Sequence, residues 1–120
     1  MYNKPSTLHH RLAHLMRDAK LFTHPGLKRR QVARLIYTNE MYLRSTILRY
    51  HGCTFSEYLT RQRLDYALQL MADPACRHLS LTAIALDAGF GSRWTFYRQF
   101  KERFGVTAEE YRRGIMSCEL

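Results

Sequence analysis

A stretch near the C-terminus, residues 81–101, constrains the fold of this chain more than any other segment. It reads as two helices joined by a tight turn. Ala85 is a small residue at the point where a second helix must approach closely, and Gly89 supplies the positive φ that a sharp turn needs. Ser92 follows at the position where its hydroxyl would cap the second helix. We therefore predict a helix-turn-helix unit in this part of the chain.

The second helix of this unit is predicted to be amphipathic. Phe96, Phe100 and Phe104 recur at every fourth residue and are expected to face the core. The opposite side carries aromatic, polar and cationic residues, namely Trp94, Thr95, Arg98 and Lys101. A helix face of this composition is suited to nucleic acid.

The charge of the chain favours the same partner. Its 120 residues include 19 Lys and Arg against 10 Asp and Glu, which gives a net charge of +9. Such an excess indicates an anionic partner, with nucleic acid as the default. A membrane surface is the competing partner, but here the basic residues accompany core-forming helices. Because there is neither a bilayer-spanning apolar run nor a signal-peptide h-region, we expect a cytoplasmic protein that makes no membrane contact.

The remaining sequence predicts helices throughout and no convincing strand, so the expected fold class is all-α with about seven helices. The first four are expected from Ser6 or Thr7 to about Phe22, from Lys28 to Ile36, from an Asn39 cap to about Tyr50, and from about Phe55 to Ala72. The pair described above comes next, and Thr107 opens a final short helix with the spacing of a capping box.

An internal repeat predicts a second helix-turn-helix unit. Residues 32–39, leading to Leu43 and Ile47, repeat the pattern of residues 84–92, leading to Phe96 and Phe100. The expected organisation is an N-terminal helix and connection (1–27), a first unit (28–54), a long linker helix (55–73), and a second unit with a C-terminal helix (74–120). A helix of about 18 residues spans roughly 27 Å, and successive major-groove faces lie about 34 Å apart. We therefore expect the two units to place their DNA-contacting helices over neighbouring major grooves. If both units bind at once, we expect the DNA to bend.

A set of residues spread over both units points to one known family. These residues are Thr54-Phe55-Ser56-Glu57-Tyr58-Leu59, Arg63-Leu64, Ala67, Ile84-Ala85, Gly89-Phe90, Phe96, Arg98, Phe100-Lys101, Phe104-Gly105-Val106-Thr107 and Tyr111-Arg112. Over roughly residues 28–113 the chain resembles the DNA-binding domain of AraC/XylS-type bacterial transcription regulators. The resemblance implies a seven-helix domain that binds promoter DNA, contacts RNA polymerase and places the second helix of each unit in the major groove.

The resemblance also implies which residues face the bases. They are Met41, Arg44 and Ser45 in the first unit and Arg93, Trp94, Thr95 and Arg98 in the second. The residues predicted to contact phosphate are Tyr42, Arg49, Arg61, Lys101 and Arg103, with plain solubilising charge as the alternative for the four cations. Arg63 is a further phosphate candidate that can instead belong to a structural ion pair. Tyr58, Phe90 and Phe104 are expected in the core.

The first unit departs from the family pattern. Tyr37 stands where a turn glycine is usual, Thr38 where an apolar residue is usual, and Ser45 where arginine is frequent. Its outward residues include Met41 and Leu48, which offer bases only apolar contact such as that with a thymine methyl. We therefore predict that the second unit supplies more sequence discrimination.

Metal, thiol and enzymatic functions are not expected. Cys53, Cys76 and Cys118 form no C-x-x-C unit and are interpreted as reduced structural thiols; the alternative, that Cys53 is a nucleophile accepting an alkyl group from damaged DNA, lacks a committed His/Asp partner. His10 and His14 lie one helical turn apart, but two imidazoles complete no zinc site, and they are expected with His9 to be solvent-exposed. No cofactor is expected, and no acid/base, nucleophile or phosphate-loop constellation indicates an enzyme.

Two functions are compatible with these features. The first is a sequence-specific regulator that binds double-stranded promoter DNA, most simply an activator acting as a monomer or weak dimer. The alternative is a protein-interaction module that captures a related regulator or RNA polymerase without reading DNA. Only about 27 residues precede the matching region, so we expect either a single-domain regulator or the excised end of a longer chain.

Overall fold

Seven α-helices form the fold in a computed structural model, which describes residues 4–118. They are α1 (Pro5–Asp18), α2 (Arg29–Leu35), α3 (Glu40–His51), α4 (Phe55–Ala72), α5 (Leu81–Asp87), α6 (Arg93–Phe104) and α7 (Ala108–Cys118). Single 3-10 turns occupy Leu21–Thr23 and Pro74–Cys76. Within the described residues there is no strand, and the predicted all-α class with seven helices is confirmed.

The chain divides into two compact units, residues 1–62 and 63–120, with the boundary inside α4. In the first unit the most deeply buried side chains come from α1, α2 and α3: Leu8, Leu12, Met16, Val32, Ala33, Leu43 and Ile47. In the second unit the core consists of Leu64, Ala67, Met71, Ile84, Ala85, Ala88, Phe90, Phe96, Phe100 and Ala108. Each unit therefore has its own apolar core beneath a helix-turn-helix pair.

The first helix is shorter than the sequence predicts at its C-terminal end. It ends at Asp18 rather than near Phe22, because Lys20 adopts a left-handed conformation with φ of 46° that an α-helix does not accommodate. The following 3-10 turn nevertheless buries Phe22. The predicted start is also wrong, since the helix begins at Pro5 instead of after a Ser6 or Thr7 cap. Proline suits the first helical position because its φ is already helical and its missing amide hydrogen is not needed there.

The second helix of each helix-turn-helix pair, α3 or α6, has clear ends. Asn39 accepts a hydrogen bond from the amide of Tyr42 (2.9 Å) at the start of α3, and Ser92 accepts one from the amide of Thr95 (3.3 Å) at the start of α6. Gly52 and Gly105 close the two helices with positive φ angles of 65° and 79°. The sequence predicts the Asn39 and Ser92 caps, and the four residues together fix where each helix begins and ends.

The long helix α4 begins where the sequence predicts it. The Oγ1 of Thr54 accepts a hydrogen bond from the amide of Glu57 at 3.1 Å, and 18 residues of helix follow. Asp73 precedes Pro74 and ends it. The final helix α7 is opened by Thr107, which accepts from the amide of Glu110 at 3.1 Å.

The two helix-turn-helix turns share one backbone arrangement. Tyr37 in the first turn and Gly89 in the second both have positive φ, at 61° and 104°. The amide after each of them donates to a carbonyl five residues earlier, Thr38 to Ala33 at 2.9 Å and Phe90 to Ala85 at 3.0 Å. The internal repeat is therefore a repeat of turn geometry as well as of sequence pattern.

The two turns differ in length by one residue. The helix cap follows two residues after the positive-φ position in the first unit, as Asn39 follows Tyr37, and three residues after it in the second, as Ser92 follows Gly89. The extra position is Gly91, which is exposed.

Candidate nucleic-acid interface

One side of α6 is anchored in the core of the second unit. Phe96 and Phe100 are completely buried, with ring centroids 5.7 Å apart, and the ring of Phe90 meets Phe96 edge-on at 5.2 Å. Phe104 is partly buried and continues this row, with its centroid 4.7 Å from that of Phe100. The anchored rings leave the opposite side of the helix turned toward solvent.

The outward side of α6 presents an aromatic and cationic surface. Trp94 is 66% exposed, and the guanidinium carbon of Arg93 lies 4.6 Å from its ring centroid. Tyr97 meets the indole edge-on at 6.2 Å. Arg98 is exposed as well. Because the arginine and tyrosine contacts restrict the indole, its orientation is partly set before any partner binds.

Thr95 differs from the other residues predicted to contact bases in α6. It is half-buried, and its hydroxyl lies 3.1 Å from that of Ser92. Its side chain therefore takes part in the cap of the helix. The two cations predicted to contact phosphate from this helix, Lys101 and Arg103, are exposed.

The outward side of α3 is more apolar than the outward side of α6. Met41 is 64% exposed and Leu48 is 60% exposed, and Arg44 and Ser45 are exposed between them. The opposite side carries the completely buried Leu43 and Ile47, together with Thr46, whose hydroxyl donates to the carbonyl of Tyr42 at 2.8 Å. Tyr42 itself is partly exposed, and Arg49 is exposed.

A shallow groove runs along the outward side of α3. Arg29 from α2 lies on its rim with the side chains of Glu40, Met41, Arg44, Ser45 and Leu48. The guanidinium of Arg29 is 3.6 Å from the carboxylate of Glu40. Arg29 and the neighbouring exposed Arg30 were missed by sequence reasoning. The signal for them is a basic run, Lys28-Arg29-Arg30, at the start of the helix that precedes the Asn39 cap.

Two further arginines on α4 are less accessible than the others. Arg61 is half-buried, and its Nη1 donates to the carbonyl of His51 at 3.2 Å, which satisfies a backbone acceptor at the end of α3. Arg63 is also half-buried, and burial lowers its pKa. The structure thus gives Arg61 a role in holding α3, whereas its contact with phosphate stays a prediction.

Comparisons with known proteins place this arrangement in a family. The family model described as a helix-turn-helix domain matches residues 32–114, which is more than half of the chain. The chain belongs to the AraC/XylS-type helix-turn-helix family. This bears out the predicted resemblance and the predicted class, a DNA-binding transcription regulator.

Relatives and solved structures of this family resemble most of the chain. The probable transcription factor PqrA of Proteus vulgaris is 29% identical over 110 residues, which cover 85% of this chain and 88% of PqrA. An AraC-type regulator structure from Chromobacterium violaceum has a TM-score of 0.79 at 24% identity and covers 92% of this chain and 93% of that one. The DNA-binding domain of AdpA, solved in complex with a target DNA, has a TM-score of 0.75 at 20% identity and covers 89% and 94% of the two chains. Of three other curated relatives, the chain spans only 23% to 30% of the length.

The first helix of this AraC/XylS-type domain supports the turn of the first unit. Arg11 donates from Nη1 to the carbonyl of Ile36 at 3.2 Å, and its guanidinium lies 5.6 Å from the ring centroid of the exposed Tyr37. A left-handed conformation costs a residue with a Cβ about 1–2 kcal/mol. The contacts with Arg11 hold Tyr37 in a conformation that a glycine would adopt freely.

The expectation that the histidines of the first helix are all exposed is wrong for His9. Its ring is half-buried and lies on that of Tyr50, with centroids 4.0 Å apart and planes inclined by 6°, and it is 5.3 Å from the ring of His51. His10 and His14 are exposed, and Nδ1 of His14 is 2.6 Å from the carboxylate of Asp18. The part of the chain that the structure describes contains no group of three residues able to hold a metal ion.

Two of the three cysteines of this AraC/XylS-type domain have described side chains, and both are free thiols. Cys53 is only 5% exposed, so the thiol that a damaged base would have to reach is covered. Cys76 is half-buried and free, and the side chain of Cys118 lies outside the described residues. Among the helices described, none is long and apolar enough to cross a bilayer.

Proposed function

We propose that this chain binds a specific double-stranded promoter sequence by inserting α3 and α6 into the major groove, and that this binding regulates transcription. The observation that carries the proposal is the outward surface of α6. Trp94, stacked with Arg93, stands beside Arg98 on the side opposite the buried Phe96 and Phe100. Arginine is the side chain best suited to bidentate contact with guanine in the major groove.

Several further features support DNA as the partner. The net charge of +9 gives the chain a strong attraction for a polyanion. The exposed cations Arg49, Lys101 and Arg103 are proposed to contact phosphate, together with Tyr42 and Arg61. The AdpA domain with the same fold has been solved on a target DNA. RNA polymerase contact, activation at the promoter, a monomeric or weakly dimeric state and a cytoplasmic location belong to the same proposal.

Tryptophan fluorescence tests the proposal directly, because Trp94 is the only tryptophan in the chain. Titration with a duplex recovered by in vitro selection from a randomised library should change its emission and give a dissociation constant far below that for a scrambled duplex. The variant Trp94→Phe has no tryptophan and therefore gives the background fluorescence of the titration. Failure of the chain to enrich any duplex would contradict the proposal.

Salt dependence tests whether both helices engage. With about six to eight phosphates neutralised, the logarithm of the binding constant should fall against the logarithm of salt concentration with a slope of about −5 to −7. Lys101→Ala should make the slope shallower by about 1. A slope near −2 for the unaltered chain contradicts simultaneous engagement of α3 and α6. Gel phasing on the same duplex tests the predicted bend.

A second candidate function is supported by the apolar surface of α3. Met41 and Leu48, both more than half exposed, are compatible with a protein partner such as a related regulator or RNA polymerase. A nuclease footprint separates the two functions. An interaction module would protect no sequence, whereas the proposed regulator protects one site.

A further inference from the structure

Two large aliphatic side chains stand out on a helix face that is otherwise polar. Met41 and Leu48 are 64% and 60% exposed and lie seven residues apart on α3. Two turns of helix separate them, so they share one face at a separation of about 10 Å along the axis. Ser45 lies between them and is exposed.

The corresponding face of α6 has a different chemistry. Its exposed residues include Arg93, Trp94, Arg98 and Lys101, and none of the four is aliphatic. On α3 the donors of hydrogen bonds on this face are limited to Arg44 and Ser45. The two helices therefore offer different contacts to the edge of a base pair.

We propose that the first unit reads its half-site through the C5-methyl groups of thymine, with Met41 and Leu48 as specificity-determining residues. This inference rests on the proposed function. The thymine methyl is the apolar group that a natural base pair displays in the major groove, so it is the group an exposed aliphatic side chain selects. A separation of about 10 Å corresponds to about three base steps of 3.4 Å.

The charges around this face favour DNA over a protein as its occupant. The cations Arg29 and Arg44 line the same groove as the two aliphatic side chains. The carboxylate of Glu40 is paired with Arg29 at 3.6 Å, so the charge of Arg44 leaves this groove net positive. An aliphatic strip beside cations complements a groove in which methyl groups lie between two rows of phosphates.

Replacement of thymine by uracil tests the inference, since uracil lacks only the methyl group. A duplex selected from a randomised library by the full chain is prepared with one uracil at a time in each half-site. At two positions about three steps apart in the half-site of the first unit, each uracil should weaken binding by about threefold. Met41→Ala should abolish the uracil effect at one of these positions, and Leu48→Ala at the other.

Leu86→Ala is the matched control. Leu86 is 51% exposed on α5 of the second unit, so its truncation removes a comparable aliphatic side chain and leaves α3 unaltered. This variant should keep both uracil effects. Because all three substituted residues are exposed, thermal unfolding of each variant should stay close to that of the unaltered chain.

The outcomes separate this inference from the function on which it rests. If no duplex is enriched, the proposed function fails and the inference with it. If a duplex is enriched and bound but is insensitive to every uracil, the inference alone is overturned. Should Met41→Ala abolish binding of purified RNA polymerase while uracil has no effect, the face belongs to a protein partner and the inference is equally overturned.

Discussion

The imidazole of His9 lies parallel to the phenol ring of Tyr50, with the two centroids 4.0 Å apart and an angle of 6° between the planes. His9 belongs to α1 and Tyr50 to α3, so the stack joins the N-terminal helix to the second helix of the first helix-turn-helix pair. This contact makes α1 part of the support of a predicted DNA-reading surface.

Removal of the stack should loosen α1 from α3. In a double-mutant cycle with His9→Ala and Tyr50→Ala, we expect a coupling free energy of about 0.5–1.5 kcal/mol at pH 7, the range typical of aromatic pairs. Chemical denaturation of the four proteins measures it. His10→Ala is the control, because His10 is exposed on the same helix. Additive effects of the two substitutions would show that the stack contributes nothing.

Stability of the first unit should depend on pH through His51. Burial, then the nearby His9 and then Arg61 lower the pKa of His51 from its ordinary value of 6.5. Its Nε2 is buried with no hydrogen-bond partner among the described atoms, and the ring also meets Tyr58, whose pKa burial raises to about 12, followed by the effect of Cys53. Tyr58 is therefore a neutral phenol near pH 7.

The sign of this dependence follows from proton binding. Because the folded pKa of His51 is the lower one, the unfolded chain binds more protons below about pH 6.5, and stability falls as pH decreases from 6.5 through the folded pKa. The free energy of unfolding measured from pH 7.5 to 4.5 should show this fall, and His51→Gln should make it shallower. A profile unchanged by the substitution would assign the pH dependence to other groups.

At position 37, a residue with a Cβ but no aromatic ring should make the protein less stable than glycine does. Its φ of 61° is strained for any residue with a Cβ, whereas glycine adopts it freely. Tyr37→Ala and Tyr37→Gly both delete the ring that packs near Arg11, so their difference isolates the backbone. We expect the glycine variant to be more stable than the alanine variant by about 1 kcal/mol in thermal or chemical unfolding. The reverse order would mean that the turn changes conformation on substitution.

The second unit should discriminate bases more strongly than the first. Arg98 stands on a face with Arg93 and Trp94, whereas Arg44 stands between aliphatic side chains. Since a good bidentate arginine–guanine pair is worth about 1–3 kcal/mol of discrimination, Arg98→Ala should reduce the ratio of selected to scrambled binding more than Arg44→Ala does. Binding titrations with both duplexes at one salt concentration measure the two ratios. A larger loss for Arg44→Ala contradicts the ranking.

Local sequence determined most of the helix boundaries. Asn39, Ser92 and Thr107 cap helices in the structure as their positions predict, and Gly52 and Gly105 end helices with positive φ. These are short-range effects, because a cap bonds to an amide two or three residues away. The same is true of the buried phenylalanine row of α6, which follows from helical periodicity alone.

Tertiary structure decided what the local pattern could not. Periodicity carried α1 past its true end, since the left-handed Lys20 and the burial of Phe22 in a separate turn leave no trace in residue spacing. The stacking of His9 on Tyr50 and the hydrogen bond from Arg61 to the carbonyl of His51 join groups that are distant in sequence or on different helices. Such contacts depend on how the helices pack against one another. The spacing of residues along the chain does not show that packing, because it is decided when the whole core forms.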